Sequence, residues 1–145
     1  MAEPMIVEVV SPEKVLYSGE ADMVITRTMG GGEVAFQAGH APFLAALIEN
    51  HTRVFQTDGT VQDIAVHRGF VEVSGTPTKV SILSDVAELA EDIDVERAKA
   101  QLEQHLQTLR NEKSDTTLGS AMTEAMGGRD RAIARLNATG TSFTA

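Results

Sequence analysis

The hydrophobic pattern of this chain changes its period once, near Val86, and this change constrains the fold more than any other feature. Before it, short runs rich in Val and Ile are separated by frequent Gly, Pro, Ser and Asp turn signals, which is typical of antiparallel strands in a sandwich or a barrel. After it, Ala98, Leu102, Leu106 and Leu109 are spaced by four, four and three, as on one face of an amphipathic helix. We therefore predict a β domain followed by a helical tail.

Two local sequence signals make the prediction for the β domain more specific. Asp58-Gly59 joins Thr52–Thr57 to Thr60–Val66, and because both residues tolerate positive φ we predict a hairpin at this point. Phe43–Ile48 is an apolar run too short for periodicity to separate a strand from a helical turn. We favour a strand there.

The sequence pattern of the tail predicts two helices. Asp94 is placed to cap the first one, because its side-chain oxygen can accept from free backbone N–H groups at the positive end of the helix dipole. The second is expected from about Ser120 to Ala138, ended by Gly140, after the polar stretch Asn111–Ser120. Its apolar side is predicted to carry four residues: Met122, Met126, Ile133 and Leu136.

Gly127-Gly128 lies inside this second helix, where each glycine costs about 0.8–1 kcal/mol relative to alanine. The tail also has few large apolar side chains, so its helices have to depend on docking to another surface. We expect the helical hairpin to be docked only conditionally.

Composition and charge exclude several classes of function. The formal charge of −9 argues against a protein that coats nucleic acid or anionic lipid, and it favours a basic protein partner. The absence of cysteine excludes disulfides, thiol nucleophiles and thiolate zinc sites. No uncharged run approaches the roughly 20 residues of a membrane span, so we expect a soluble protein.

The candidate catalytic residues are few. His40, in Gly39-His40-Ala41-Pro42, would need a nucleophile and an orienting carboxylate to act as a base, and a turn histidine bonded to backbone is the favoured interpretation. His51, His67 and His105 have no metal-ligand spacing, so no metal site is predicted.

An acidic junction and an arginine set face one another in the predicted hairpin. Six acids and no base occupy the junction: Asp85, Glu88, Glu91, Asp92, Asp94 and Glu96. Arg131 and Arg135 are four apart and share a helix face, so closure of the hairpin would bring them to Asp94 and Arg97. Such a site suits phosphate oxygens, although salt bridges within the hairpin are the ordinary alternative.

Taken together, these segments resemble one family, the epsilon subunit of bacterial and chloroplast F-type ATP synthases, part of the central stalk. The matching segments, in order, are Ser11-Pro12-Glu13, Tyr17-Ser18-Gly19, Gly32-Glu33, Gly39-His40-Ala41-Pro42, Gly69-Phe70-Val71-Glu72-Val73, Val80-Ser81-Ile82-Leu83, Ala87-Glu88, Ile93-Asp94-Val95-Glu96-Arg97-Ala98 and Arg131-Ala132-Ile133-Ala134-Arg135-Leu136.

The resemblance implies an antiparallel β-sandwich of about ten short strands over residues 1–87 and a regulatory α-helical hairpin over 88–145. It implies a non-catalytic rotor subunit of a proton-translocating synthase, whose sandwich binds the gamma subunit and the c-ring, with Gly39, His40, Ala41 and Pro42 as interface candidates. The hairpin is expected to inhibit ATP hydrolysis at the alpha and beta subunits. The complex lies at the cytoplasmic face of the bacterial inner membrane, and this chain would be associated with the membrane only through it.

The resemblance also implies a regulatory ATP site, since some family members bind ATP, with no cofactor required. The corresponding residues here are Glu88, Ile93, Asp94, Arg97, Ala98, Arg131 and Arg135. Three departures from the family matter. Phe36-Gln37 occupies the place before Ala38-Gly39-His40 where the family usually has an apolar residue, Leu and Pro. Arg68 stands where a second glycine often precedes Gly69, and Gly127-Gly128 interrupts a helix that is usually rich in Ala and Arg. The alternatives are an unrelated β-sandwich adaptor with a helical tail that binds another protein and, ranked last, an enzyme centred on His40.

Overall fold

The structure, a computed structural model, describes residues 3–111 and 119–141. Seven strands come first and two helices follow, with a single 3₁₀ turn over Ala90–Asp92 between them. The strands are β1 (Met5–Val10), β2 (Val15–Thr28), β3 (Gly32–Gln37), β4 (Phe43–Leu47), β5 (Asn50–Gln56), β6 (Val61–Ser74) and β7 (Lys79–Leu89). The helices are α1 (Val95–Asn111) and α2 (Gly119–Ala138).

The strands form one sheet folded on itself into a sandwich. The order is β1-β7-β6-β4-β2-β3, β5 pairs with both β2 and β6, and β1 also pairs with β2. All these pairs are antiparallel except β1 with β7, which is parallel. Met5, Phe36 and Leu47 are among the largest fully buried side chains of the interior. The predicted β-sandwich followed by a helical hairpin is confirmed.

The described sheet has seven strands where about ten were expected, because long strands serve both layers. β2 and β6 have 14 residues each. The first half of β2 pairs with β1, and its second half pairs with β3 and β5. β6 pairs with β5 before residue 67 and with β4 after residue 68. One long strand therefore takes the place of two short ones.

Strand β6 changes layer at Arg68 and Gly69, whose φ angles are +60° and +131°. Before this point Ile64 and Val66 face the interior, and beyond it Val71 does, so the interior positions change from even to odd. A Cβ atom on Gly69 would overlap the β7 backbone. Glycine is therefore required at 69, while Arg68 adopts a left-handed conformation that a non-glycine residue rarely takes.

Both local β predictions are confirmed. Asp58-Gly59 forms the β5–β6 turn: the Gly59 N–H donates to the Gln56 carbonyl at 3.1 Å, and Asp58 Oδ1 accepts from the Thr60 N–H at 2.9 Å. Phe43–Leu47 is strand β4 and not a helical turn.

The two helices pack on each other through Ala98 and Leu102 of α1 and Ala132 and Leu136 of α2. Gly140, with φ of +82°, ends α2, because the N–H of the next residue donates back to the Leu136 carbonyl at 2.9 Å. The predicted second helix is thus confirmed. The expected connection falls mostly in residues 112–118, outside the described residues.

Two expectations about α2 need correction. Met126 is 45% exposed, and the buried positions of its half of the helix belong to small residues such as Ala125. Gly127-Gly128 does not break the helix: α2 is continuous through both glycines. Gly128 lies against the imidazole ring of His105 on α1, and a Cβ atom there would overlap the ring. Closely approaching helices need a small residue at this crossing.

Candidate functional site

The junction between sandwich and hairpin is built around Glu88, near the end of β7. One carboxylate oxygen, Oε2, accepts a hydrogen bond from Arg135 Nε of α2 at 2.7 Å and lies 2.8 Å from His67 Nε2 of β6. The guanidinium also reaches Gln101 Oε1 of α1 at 3.5 Å. Three elements therefore meet at one carboxylate, and a fourth, α1, contacts its arginine partner.

These contacts lower the pKa of Glu88 from 4.5 to about 2. The hydrogen bond from His67 is the largest cause, and burial opposes it by raising the pKa. The hydrogen bond and the positive charge of Arg135 add to the lowering. Glu88 is thus ionised at neutral pH and can only accept hydrogen bonds, so His67 Nε2 carries a hydrogen and donates a hydrogen bond to the carboxylate.

The sheet register explains why His67 and Glu88 meet. Ala65 of β6 pairs with Glu88, and His67 pairs with Val86, so His67 and Glu88 are diagonal neighbours on the same face. Residues 64–67 are all buried, because Ile64 and Val66 face the interior while the opposite face lies under α2. α2 packs on β5 and β6, which brings Arg135 over this face.

The remaining residues of the predicted ATP site lie along the start of α1. Asp94 Oδ1 accepts from the backbone N–H of Arg97 at 3.1 Å, as predicted for an N-cap, and both side chains are exposed. Ala98 is buried in the contact between the helices, and Ile93 is partly buried. Hairpin closure was expected to bring Arg135 to Asp94 and Arg97, but among the described residues Arg135 contacts Glu88 and Gln101 instead.

Arg131 is partly buried on α2, and within residues 3–111 and 119–141 it forms no ion pair. The structure therefore joins two of the predicted residues, Glu88 and Arg135, and leaves Asp94 and Arg97 on the exposed surface. Binding of ATP at this set stays a prediction.

Sequence reasoning missed His67 as part of this site. Its signal was the run Ile64–His67, which is apolar apart from its last residue and long enough to indicate burial on both faces. A histidine in a strand covered on both sides must find a polar partner.

The Gly39–Pro42 loop forms a rigid corner at one end of the sandwich. Gly39, with φ of +87°, donates its N–H to Thr78 Oγ1 at 2.8 Å. The His40 Nδ1 atom lies 2.7 Å from the Ala41 carbonyl oxygen, and its ring meets Phe36 edge-on with centroids 5.1 Å apart. No described carboxylate is hydrogen-bonded to His40, so the turn interpretation fits it better than catalysis.

An exposed apolar row crosses the outer face of one layer. It runs over five strands through register partners: Val15, Val10, Leu83, Phe70 and Ala46. Val15, Leu83 and Phe70 are 57–60% exposed, and Leu44, nearby on the same face, is 72% exposed. An apolar surface shared by this many strands is typical of a protein-binding face.

Two kinds of site are not found. In the part of the chain that the structure describes, no three His, Asp or Glu side chains are grouped as metal ligands. None of the helices described combines the length and the apolar character needed to cross a membrane.

Comparison with known proteins identifies the relatives of this fold. Residues 4–90 match the family model described as ATP synthase, Delta/Epsilon chain, beta-sandwich domain. The ATP synthase epsilon chain of Thermobifida fusca is 47% identical over 105 residues, covering 70% of this chain and 74% of that protein. That of Shouchella clausii is 36% identical over 131 residues, covering 90% and 91%, so the similarity continues into the hairpin.

Solved structures share the fold. A chain in the Euglena gracilis mitochondrial ATP synthase structure (OSCP/F1/c-ring) matches with a TM-score of 0.77 and 20% identity, covering 93% of this chain and 80% of that one. A chain in the Tetrahymena thermophila central stalk/c-ring structure matches with a TM-score of 0.58 and 15% identity, covering 95% and 98%. From its sandwich, its hairpin and these relatives, the chain belongs to the ATP synthase delta/epsilon chain family.

Proposed function

We propose that this chain is the non-catalytic epsilon subunit in the central stalk of a proton-translocating F-type ATP synthase, coupling the catalytic head to the c-ring. The similarity to bacterial epsilon chains over both the sandwich and the hairpin carries the proposal. The complex would lie at the cytoplasmic face of the bacterial membrane, with this chain as a peripheral component.

The exposed apolar row is the proposed docking face for the gamma subunit. Phe70 and Leu83 are directly paired and more than half exposed, so covering them would contribute about 25 cal/mol per Å² of apolar surface removed from water. Glu8 and Glu72 lie on the same face, and their carboxylates suit a partner with basic residues at the rim. The rigid Gly39–Pro42 corner is the proposed contact with the c-ring.

A binding experiment tests the gamma interaction. The double variant Phe70→Ser/Leu83→Ser should lose co-purification with gamma, because it replaces the centre of the row with polar side chains. Val61→Ser is the matched control, since Val61 is 40% exposed but lies outside the row. Equal retention of gamma by the two variants would contradict this docking face. Failure of the wild-type chain to bind gamma would favour the alternative, an unrelated β-sandwich adaptor.

The helical hairpin is the proposed inhibitor of ATP hydrolysis at the alpha and beta subunits. Its α2 contributes three arginines, Arg129, Arg131 and Arg135, which suit an acidic surface on those subunits once the hairpin leaves the sandwich. Complexes assembled with the full chain and with a chain lacking residues 88–145 should differ, with faster hydrolysis in the truncated one. Unchanged hydrolysis would refute inhibition and leave the coupling role intact.

Regulatory ATP is a separate part of the proposal. The arginine pair Arg131 and Arg135 and the exposed Asp94 and Arg97 supply groups that bind phosphate and ribose. Titration of the isolated chain with ATP, followed by NMR of the arginine side chains, should shift Arg131 and Arg135. No shift at millimolar ATP would remove the ligand without affecting the rotor role.

A further inference from the structure

We propose that His67, Glu88 and Arg135 form a latch that holds the hairpin on the sandwich without any bound nucleotide, and that His67 is its positioning residue. The latch deepens the proposed function, since it would set how readily the inhibitory hairpin is released. The docking it describes is a property of the isolated chain.

The geometry makes Glu88 the connecting group. Arg135 and His67 approach the same oxygen, at 2.7 and 2.8 Å, from residues 47 and 21 positions away in the sequence. Glu88 lies one residue before the end of β7, so a contact there acts close to the point where the chain leaves the sheet. A hairpin that moves away from the sheet has to break the Arg135 contact.

A packing role alone does not explain why position 67 is a histidine. Its side chain is 3% exposed, and Nδ1 is buried without a hydrogen-bond partner among the described residues. An unpaired buried nitrogen opposes folding, and an apolar side chain of similar size would avoid it. Among the described residues the side-chain partner of the ring is Glu88, so the histidine is best explained by the orientation it gives to that carboxylate.

Small side chains make the apolar contact between α2 and the sheet. The sandwich and the hairpin have separate apolar clusters, and Leu136, the largest buried side chain of α2, packs on α1. Small residues such as Ala134 face β5, and a cleft of about 790 Å³ remains beside them, lined also by Asn50 and Ile133. Because each small side chain removes little apolar surface from water, the charged contact adds substantially to the docking.

The latch is also suited to reversible opening. The side chains of Arg135 and Glu88 are 22% and 32% exposed, so water reaches both when they separate. Neither group would be left as an uncompensated charge in a dry interior, which is what makes the breaking of fully buried ion pairs so unfavourable.

Hydrogen exchange of the full-length chain tests the latch, with the amides of α2 as the readout and those of β1 as the internal reference. Arg135→Met, which keeps most of the side-chain length but has no N–H donor at the Nε position, should raise α2 exchange by about 10-fold or more, as expected for loss of a charged hydrogen bond. The matched control is Arg129→Met, because Arg129 pairs with Asp130 inside α2 and not with the sheet. The control should leave α2 exchange within about 3-fold of wild type, well below that tenfold change.

The role of His67 is tested by two substitutions. His67→Leu keeps the bulk and should raise α2 exchange, whereas His67→Gln, which retains an N–H donor near the Nε2 position, should restore it. In the Arg135→Met background His67→Leu should add nothing, because the contact it supports is already gone. Wild-type exchange in His67→Leu, or additive effects in the double variant, would overturn the proposal. If His67→Leu also disturbs β1, the comparison of Arg135→Met with Arg129→Met and the rescue by His67→Gln decide.

The experiments distinguish a failure of the latch from a failure of the inhibitory function. If the latch variants release α2 in the isolated chain but the assembled synthase hydrolyses ATP as before, the latch stands and inhibition by the hairpin is refuted. If α2 stays protected in Arg135→Met, the latch is refuted whatever the synthase does.

Discussion

Alanine at Gly128 should weaken the hairpin, whereas alanine at the neighbouring Gly127 should strengthen it. Both changes gain about 0.8–1 kcal/mol of helix propensity. At Gly127 the nearest described atom to a new Cβ would be Arg131 Nη1 at 3.2 Å, the far end of a flexible side chain that can move away. At Gly128 the new methyl group would overlap the imidazole of His105.

The magnitude follows from these neighbours. Overpacking of a tight contact costs about 1–3 kcal/mol, which equals or exceeds the propensity gain. Gly128→Ala should therefore be neutral to about 2 kcal/mol less stable than wild type, and about 1–3 kcal/mol less stable than Gly127→Ala.

Hydrogen exchange of the α1 and α2 amides measures this difference directly, because about 1.4 kcal/mol corresponds to a tenfold change in the opening equilibrium. Gly127→Ala should slow the exchange about fivefold. Gly128→Ala should leave it unchanged or accelerate it.

Removal of the ring provides the control. In a His105→Ala background, Gly128→Ala should become stabilising by about 1 kcal/mol, since only the propensity gain remains. If Gly128→Ala stabilises the hairpin while His105 is present, or still destabilises it when His105 is absent, the close helix crossing is refuted.

Three further outcomes are expected. Gly69→Ala should lower the free energy of unfolding by about 3 kcal/mol or more in urea denaturation, because it combines positive-φ strain with overlap of the β7 backbone; a loss below about 1 kcal/mol would contradict this. Arg68→Gly should be about 1 kcal/mol more stable than Arg68→Ala, since both lose the contact with Glu49 but only glycine relieves the left-handed conformation; equal stability would contradict the strain. Docking of α2 should be fully supported by Glu88 at neutral pH and should weaken as the pH falls below 4.5 toward the folded pKa of about 2, and α2 exchange followed against pH should lose this component in Glu88→Gln. The loss should stay well below the roughly 3 kcal/mol of the whole shift, because the hydrogen bond from His67, its largest cause, lies within the sandwich and remains when α2 leaves.

Local structure was predictable where its causes lie within a few residues of chain. The Asp58-Gly59 turn, the Asp94 cap and the Gly140 stop each depend on a side chain or a φ angle and on backbone groups close in sequence. The hydrophobic period likewise predicted strands before helices, although β7 continues past Val86 to Leu89 and α1 begins only at Val95. The number of strands was harder to predict from the sequence, because a long strand that bends between two layers gives the same hydrophobic pattern as two short strands.

The candidate site was only partly predictable. Resemblance to the family named Glu88 and Arg135, but no local signal pairs them, since they are 47 residues apart and meet only because α2 packs on β5 and β6. His67 was overlooked for the same reason: its partner is set by sheet register, 21 residues away.

The sequence by itself determined that the N-terminal part of this chain is built of strands and that its C-terminal part is built of helices. It also determined the family to which both parts belong. These features rest on period, on turn chemistry and on ordered motifs, which are all properties of neighbouring residues. Only the tertiary structure decided which residues act together. The crossing at Gly128, the change of layer at Arg68 and Gly69, and the contacts of His67 with Glu88 and Arg135 depend on how elements approach one another in space, and that approach is set by packing over distances along the chain that no local pattern records.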